Sequence, residues 1–232
     1  MAQSEQFTAP VHTVVSRMRT LGTDLPERDG VAVFNRVYLT VTEEIDRRLG
    51  AGEFPDPGAA ATLDVRFAER YLTVAEEEGH PPACWRPLLQ FRRHPGVHPL
   101  QFALAGVNAH VGHDLALAVV DSCRALGCEP GDLEDEFERV GDLLASMEER
   151  VREDLMPGPD LLEVADPLTH LLGAWSLERA RDAAWSAART LWALRGLPGF
   201  AREFADRLDA AVGLAGRMML TPLGDRTGHC AR

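Results

Sequence analysis

From Pro99 to Leu126 the chain is an almost unbroken apolar run, with Asp114 and Asp121 its only carboxylates. In its middle stand Asn108, His110, His113 and Asp114. A run of this length and pattern predicts a long buried helix. Polar groups inside such a helix cost free energy unless each is hydrogen-bonded or ligated. A metal, a ligand or a closed polar network must therefore accompany these four side chains, and any fold must bring partners to them.

Pro99 suits the first turn of this helix, where its missing N–H does no harm, and Gly127 with Pro130-Gly131 ends it. The flanking segments are also helical in period. Val11 to Met18 form a short helix, and Val31 to Leu49 place Phe34, Val37, Tyr38, Val41 and Ile45 on one face. Ala59 to Glu78 turn Leu63, Phe67, Tyr71 and Val74 inward. A short element spans Cys84 to Arg93, and Asp132 to Leu155 is acidic at its start, as the helix dipole favours. Pro157-Gly158-Pro159 breaks it, and Leu161 to Leu172 is interrupted at Asp166-Pro167. Helices follow over Leu177 to Leu194 and from Pro198 to about Met219. No segment reads as a strand. The expected fold is all-α: one domain over residues 1–220, about seven to nine helices around a buried central helix, with 221–232 a C-terminal tail.

Composition removes several function classes. The net charge is −12, which argues against nucleic-acid binding and against anionic membrane surfaces. All 24 basic residues are arginine, so lysine Schiff-base chemistry and a lysine-bearing phosphate loop are excluded. None of Cys84, Cys123, Cys128 and Cys230 forms a Cys-x-x-Cys pair. Reduced thiols in a soluble cytoplasmic protein are expected. No basic segment followed by an apolar run opens the chain, and no window approaches 18 uninterrupted apolar residues.

On a helix His110 neighbours both His113 and Asp114. His-x-x-x-Asp lets one helix offer two ligands to a divalent ion such as zinc, so His110 and Asp114 form the candidate metal pair. Without metal, His110, His113 and Asp114 form an acid/base set in which Asp114 fixes an imidazole tautomer. Gly106 and Gly112 flank the set and predict close approach of another helix or a ligand. Asn108 points elsewhere on the helix.

The helix from Trp175 places Glu178, Asp182, Trp185, Arg189 and Trp192 on one stripe. Asp182, Trp185 and Trp192, with Asn108 and Tyr38, are therefore candidate substrate contacts. Leu177, Ala180, Ala184, Ala188 and Leu191 form the opposite face, suited to close helix packing. Asp64 and Arg66 are lesser candidates. His80, His94 and His98 lie in a Pro-rich loop.

The string Phe34-Asn35-Arg36-Val37-Tyr38 with Thr40, Val41 and Thr42, followed by Asn108-Ala109-His110 and His113-Asp114-Leu115, resembles a family of helical bacterial proteins. That family is common in actinobacteria and has no assigned function. The resemblance runs roughly from Val31 to Leu194 and implies an all-helical fold. His110-x-x-x-Asp114 is also similar to one ligand pair of zinc-dependent phospholipase C and related single-strand nucleases. Those all-α enzymes use further His and Asp ligands, and no second His-x-x-x-Asp/Glu occurs here.

The residues thus point to an enzyme acting on a small organic molecule, by hydrolase or lyase/cyclase-like chemistry, with or without a divalent metal. A non-catalytic helical module that binds a ligand or another protein is the alternative. A homo-oligomer is compatible with either.

Overall fold

The computed structural model describes residues 2–77, 79–155 and 176–222. The expected break at 157–159, the 161–172 segment, Trp175, Cys230 and the tail from 223 onward lie outside the described residues. Among the described residues every regular element is helical and there is no strand. In chain order they are α1 (Ala2–Asp24), α2 (Gly30–Gly50), α3 (Pro57–Glu76), α4 (Arg86–Phe91), α5 (Pro99–Ala109), α6 (Leu115–Leu126), α7 (Glu134–Leu155), α8 (Leu177–Ala193) and α9 (Pro198–Met219). A π-helical turn, His110–Asp114, joins α5 to α6, and short 3₁₀ turns precede α7 and follow α8.

The helices start and stop where local chemistry satisfies their free backbone groups. Asp29 caps α2 by accepting the Val31 N–H at 3.0 Å. It also receives the Arg92 guanidinium at 2.8 Å, which ties the end of α4 to the start of α2. Asp56 caps α3 at Ala59, with Pro57 in the first turn. His98 caps α5 in a reciprocal box with Gln101. The Gln101 side-chain amide then donates to the carbonyls of Met219 and Thr221, which anchors the end of α9. Gly127 ends α6 in the left-handed conformation at φ 67°, and the Cys128 N–H reaches back to the Cys123 carbonyl. One expectation was too short: the first helix begins at Ala2 and carries Pro10 within it.

Residues 99–126 form the spine. Helices α2 and α9 pack on α5, while α3 and α8 pack on the π turn and α6. By length and composition this spine could cross a membrane, yet 83% of its apolar window is buried inside the protein. Its apolarity serves the core, which is compatible with a soluble protein. One hydrophobic core joins all these helices. Aromatic rings of α2, α3 and the loop before α4 fill its centre: Phe34, Tyr38, Phe67, Tyr71 and Trp85.

The glycines of the spine allow that packing. A Cβ at Gly106 would lie 2.3 Å from the Phe34 ring, and one at Gly112 would lie 3.3 Å from Val212. The close approach expected from the sequence is thus by α2 and α9. In α9, a Cβ at Gly213 would lie 2.5 Å from the Ala83 carbonyl oxygen, so glycine lets α9 approach the loop before α4.

Gly106→Ala tests this packing. Alanine should gain roughly 1 kcal/mol of helix propensity, and overpacking against a fixed aromatic ring should cost about 1–3 kcal/mol. We expect net destabilisation in urea melts. Gly50→Ala, which meets open space, should be neutral or slightly stabilising. Equal effects at the two sites would contradict the packing argument.

Candidate functional site

The π turn shapes the site. Its closing hydrogen bond runs from the Leu115 N–H to the His110 carbonyl, five residues back. In a regular α-helix successive side chains diverge by about 100°. A wider turn reduces that angle, so one carboxylate meets rings at both neighbouring and next-turn positions. Asp114 Oδ1 accepts from His113 Nδ1 at 2.8 Å, and Oδ2 accepts from His110 Nδ1 at 3.1 Å. Trp85 Nε1 donates to Oδ2 at 2.9 Å. Such π turns recur at functional sites.

Burial by itself would raise the Asp114 carboxyl, but the hydrogen bonds from His110 and His113 outweigh it and hold the group at about 2. An ionised carboxylate only accepts, so both Nδ1 atoms carry a proton. Burial keeps the His110 imidazole below its ordinary range in spite of Asp114, so the ring is neutral and its Nε2 is a bare lone pair. That atom has no protein partner among the described residues. The His110 ring stacks on Phe67 with centroids 3.6 Å apart and meets Tyr38 edge-on at 4.4 Å.

His113 faces a different neighbourhood. Its Nε2 lies 4.0 Å from Asp209 Oδ1. Asp209 stands on α9 and accepts the Ala83 and Cys84 N–H groups, each at 2.8 Å. Burial tends to raise this carboxyl, and those two N–H groups overcome it and lower it. One donor atom each from Cys84, His113 and Asp209 falls within 4.8 Å of the others. Burial pushes the Cys84 thiol well up, with the charges of Asp114 and Asp209 adding to the effect. His113 and Asp114 also line an open groove of about 900 Å³ along the outer face of α3. Its walls carry Val65, Val74, Leu126, Arg66, Arg70 and Asp121. Arg70 pairs with Asp121 across the groove.

The sequence-derived site residues divide into two groups. His110, His113, Asp114 and Tyr38 meet in one place, with Asp64 buried nearby on α3. Arg66 lies along the groove. The other substrate candidates stand elsewhere. Asn108 donates to the Val212 carbonyl at 3.0 Å and fastens α9 to the spine. Asp182 is exposed. Trp185 packs on Phe137 at 4.6 Å, and Trp192 lies under the Arg195 guanidinium. Ala184, Ala187, Ala188 and Leu191 are the buried residues of α8, while Trp185 and Trp192 are half-buried and pack on the edge of the core. The His110–Asp114 pair expected to hold a metal is already joined by its own hydrogen bond, and Trp85 and His113 take the rest of the carboxylate. Two of the loop histidines serve the local backbone: His94 Nδ1 accepts the Gly96 N–H in a turn, and His98 Nδ1 accepts the Leu100 N–H as the cap of α5.

Phe67, Cys84, Trp85 and Asp209 were not marked as site residues in the sequence. Asp209 had one signal, an acidic residue within the small apolar stretch before Gly213 and Gly216.

Residues 11–222 match the family described as "Family of unknown function (DUF5995)", and the chain belongs to it. This agrees with the expectation of a helical family without an assigned function. No curated protein and no solved structure matches the chain.

Asp64 gives the pH test. It is 4% exposed, and among the described residues neither carboxylate oxygen has a partner. Burial, with Asp46 adding a smaller charge effect, raises its carboxyl to about 7. An unfolded Asp titrates near 3.9. From about pH 4 to 7 the folded chain therefore holds a proton that the unfolded chain has lost. Stability from this group is complete below about pH 4, falls as pH rises to about 7, and then levels off, a loss on the order of 4 kcal/mol. Asp64→Asn should remove that fall, so its stability relative to wild type rises from pH 4.5 to pH 8 in urea melts. Parallel pH profiles would contradict the assignment.

Proposed function

We propose that the protein is an enzyme acting on a small organic molecule held in the α3 groove, with His113 as its working imidazole. The observation that carries this reading is the buried carboxylate of Asp114, which accepts a hydrogen bond from His113 Nδ1–H beside that groove. The ring is thereby fixed and presents Nε2 for chemistry. Free of metal, Nε2 accepts a proton from a substrate hydroxyl or an attacking water. Were a divalent ion bound, Nε2 would hold it, and the ion would supply a water of lowered pKa. Both routes serve hydrolysis or elimination.

His110 holds the other side of Asp114. Stacked on Phe67 and shut from solvent, it is a positioning residue and does not reach the groove. Asp114 likewise acts through the rings it holds. Mixed lining also supports a small-molecule occupant, since apolar walls with a few charged groups suit an organic ligand.

A panel of chromogenic carboxylic and phosphate esters tests the reading with purified full-length chain. We expect turnover that falls at least about 100-fold in His113→Gln and stays at the wild-type level in His94→Gln, a turn residue outside the groove. Thermal melts of each variant separate loss of chemistry from loss of fold. Turnover retained in a folded His113→Gln chain would overturn the proposal. Saturable binding without turnover would favour the non-catalytic module.

A further inference from the structure

The geometry points to a single divalent metal ion of the zinc type held by Cys84, His113 and Asp209. This rests on the reading of His113 as the working imidazole and names the cofactor it would use. The set draws on three separate parts of the fold: the loop before α4, the π turn and α9. Their donor atoms lie within 4.8 Å of one another, and His113 Nε2 is 4.0 Å from Asp209 Oδ1. Ligand atoms around a tetrahedral zinc ion, at about 2.0–2.3 Å from it, stand roughly 3.3–3.6 Å apart. Closing on an ion therefore needs side-chain shifts on the order of 1 Å, with no rearrangement of helices.

Each ligand is already steered. His113 donates its Nδ1–H to Asp114 and leaves Nε2 for the ion, the carboxylate–histidine–metal arrangement found behind many zinc sites. Asp209 is oriented by two backbone N–H groups, and one of them belongs to Cys84. The same two bonds therefore fix the position of the thiol relative to the carboxylate. Gly213, one turn beyond Asp209, allows this approach, because any side chain there would strike the Ala83 carbonyl.

The donor set selects the ion. Thiolate, imidazole and carboxylate together suit zinc or cobalt and do not suit magnesium or calcium, which take oxygen ligands. A thiolate and a carboxylate balance the two charges of the ion. Three protein ligands leave a fourth position for water or substrate, as in catalytic zinc sites. His113 belongs both to this set and to the lining of the groove, so the ion would sit beside the substrate space.

Metal content of the full chain, purified without chelator, and its titration with cobalt(II) test the site. We expect one zinc per chain. Cobalt should give intense tetrahedral d–d absorption and a thiolate-to-cobalt charge-transfer band. Cys84→Ser should abolish that band. Asp209→Asn, at a partly exposed position, should weaken zinc binding at least about tenfold, and Asp114→Asn should weaken it about 10–100-fold. Cys123→Ser should leave the spectrum unchanged. Wild-type chain with neither stoichiometric zinc nor a cobalt–thiolate band would overturn the inference, as would a band that survives Cys84→Ser. Ester turnover by wild-type chain that takes up neither zinc nor cobalt would sink the metal site and leave the enzyme reading in place. Stoichiometric metal without turnover would do the reverse.

Discussion

The buried carboxylate of Asp114 organises this protein. Moving a carboxylate out of water costs several kcal/mol. Three hydrogen bonds to a charged acceptor, at about 1.5–3 kcal/mol each, offset that cost. Those donors come from three rings, His110, His113 and Trp85. The requirement reaches outward from there. Trp85 must sit at the start of α4, α2 and α3 must supply the aromatic walls around His110, and the spine must widen into a π turn so that Asp114 reaches both imidazoles. Removing any one donor would leave a buried charge short of a partner.

Two neighbourhoods follow from that one carboxylate. On the His110 side the ring is enclosed by Phe34, Tyr38, Phe67 and Tyr71, and no polar partner among the described residues reaches its Nε2. On the His113 side the ring meets Cys84, Asp209 and an open groove. A shared partner thus holds one imidazole among aromatic rings and the other beside the groove. Asp64 lies on the enclosed side as a carboxyl that burial keeps partly protonated near neutral pH. It is a stability cost built into the same interior.

Much of this was legible in the sequence because helical period and breaker residues are local signals. Pro99, Gly127, Pro198 and the apolar faces of α2 and α3 place the elements within a few residues. Gly106 and Gly112 announced close packing, and the His110, His113, Asp114 group announced a polar site in the core. The partners were not legible. Cys84 and Asp209 come from elements distant in sequence, and only the packing of α9 against the loop before α4 joins them. The π turn is invisible to a reading that assumes 3.6 residues per turn. Which face of α8 packs inward was not legible for a related reason: periodicity shows that a helix has two faces, and tertiary packing decides which is buried. There the small alanines allowed closer contact with α6 than tryptophans would.

An ionised Asp114 fixes both imidazoles with protons on Nδ1. Two-bond ¹H–¹⁵N correlation spectra of the ¹⁵N-labelled chain near neutral pH read this directly, with His110→Gln and His113→Gln spectra assigning the signals. We predict a proton on Nδ1 of both rings, with Nε2 of the buried His110 unprotonated. An Nε2–H tautomer at either ring would contradict the account.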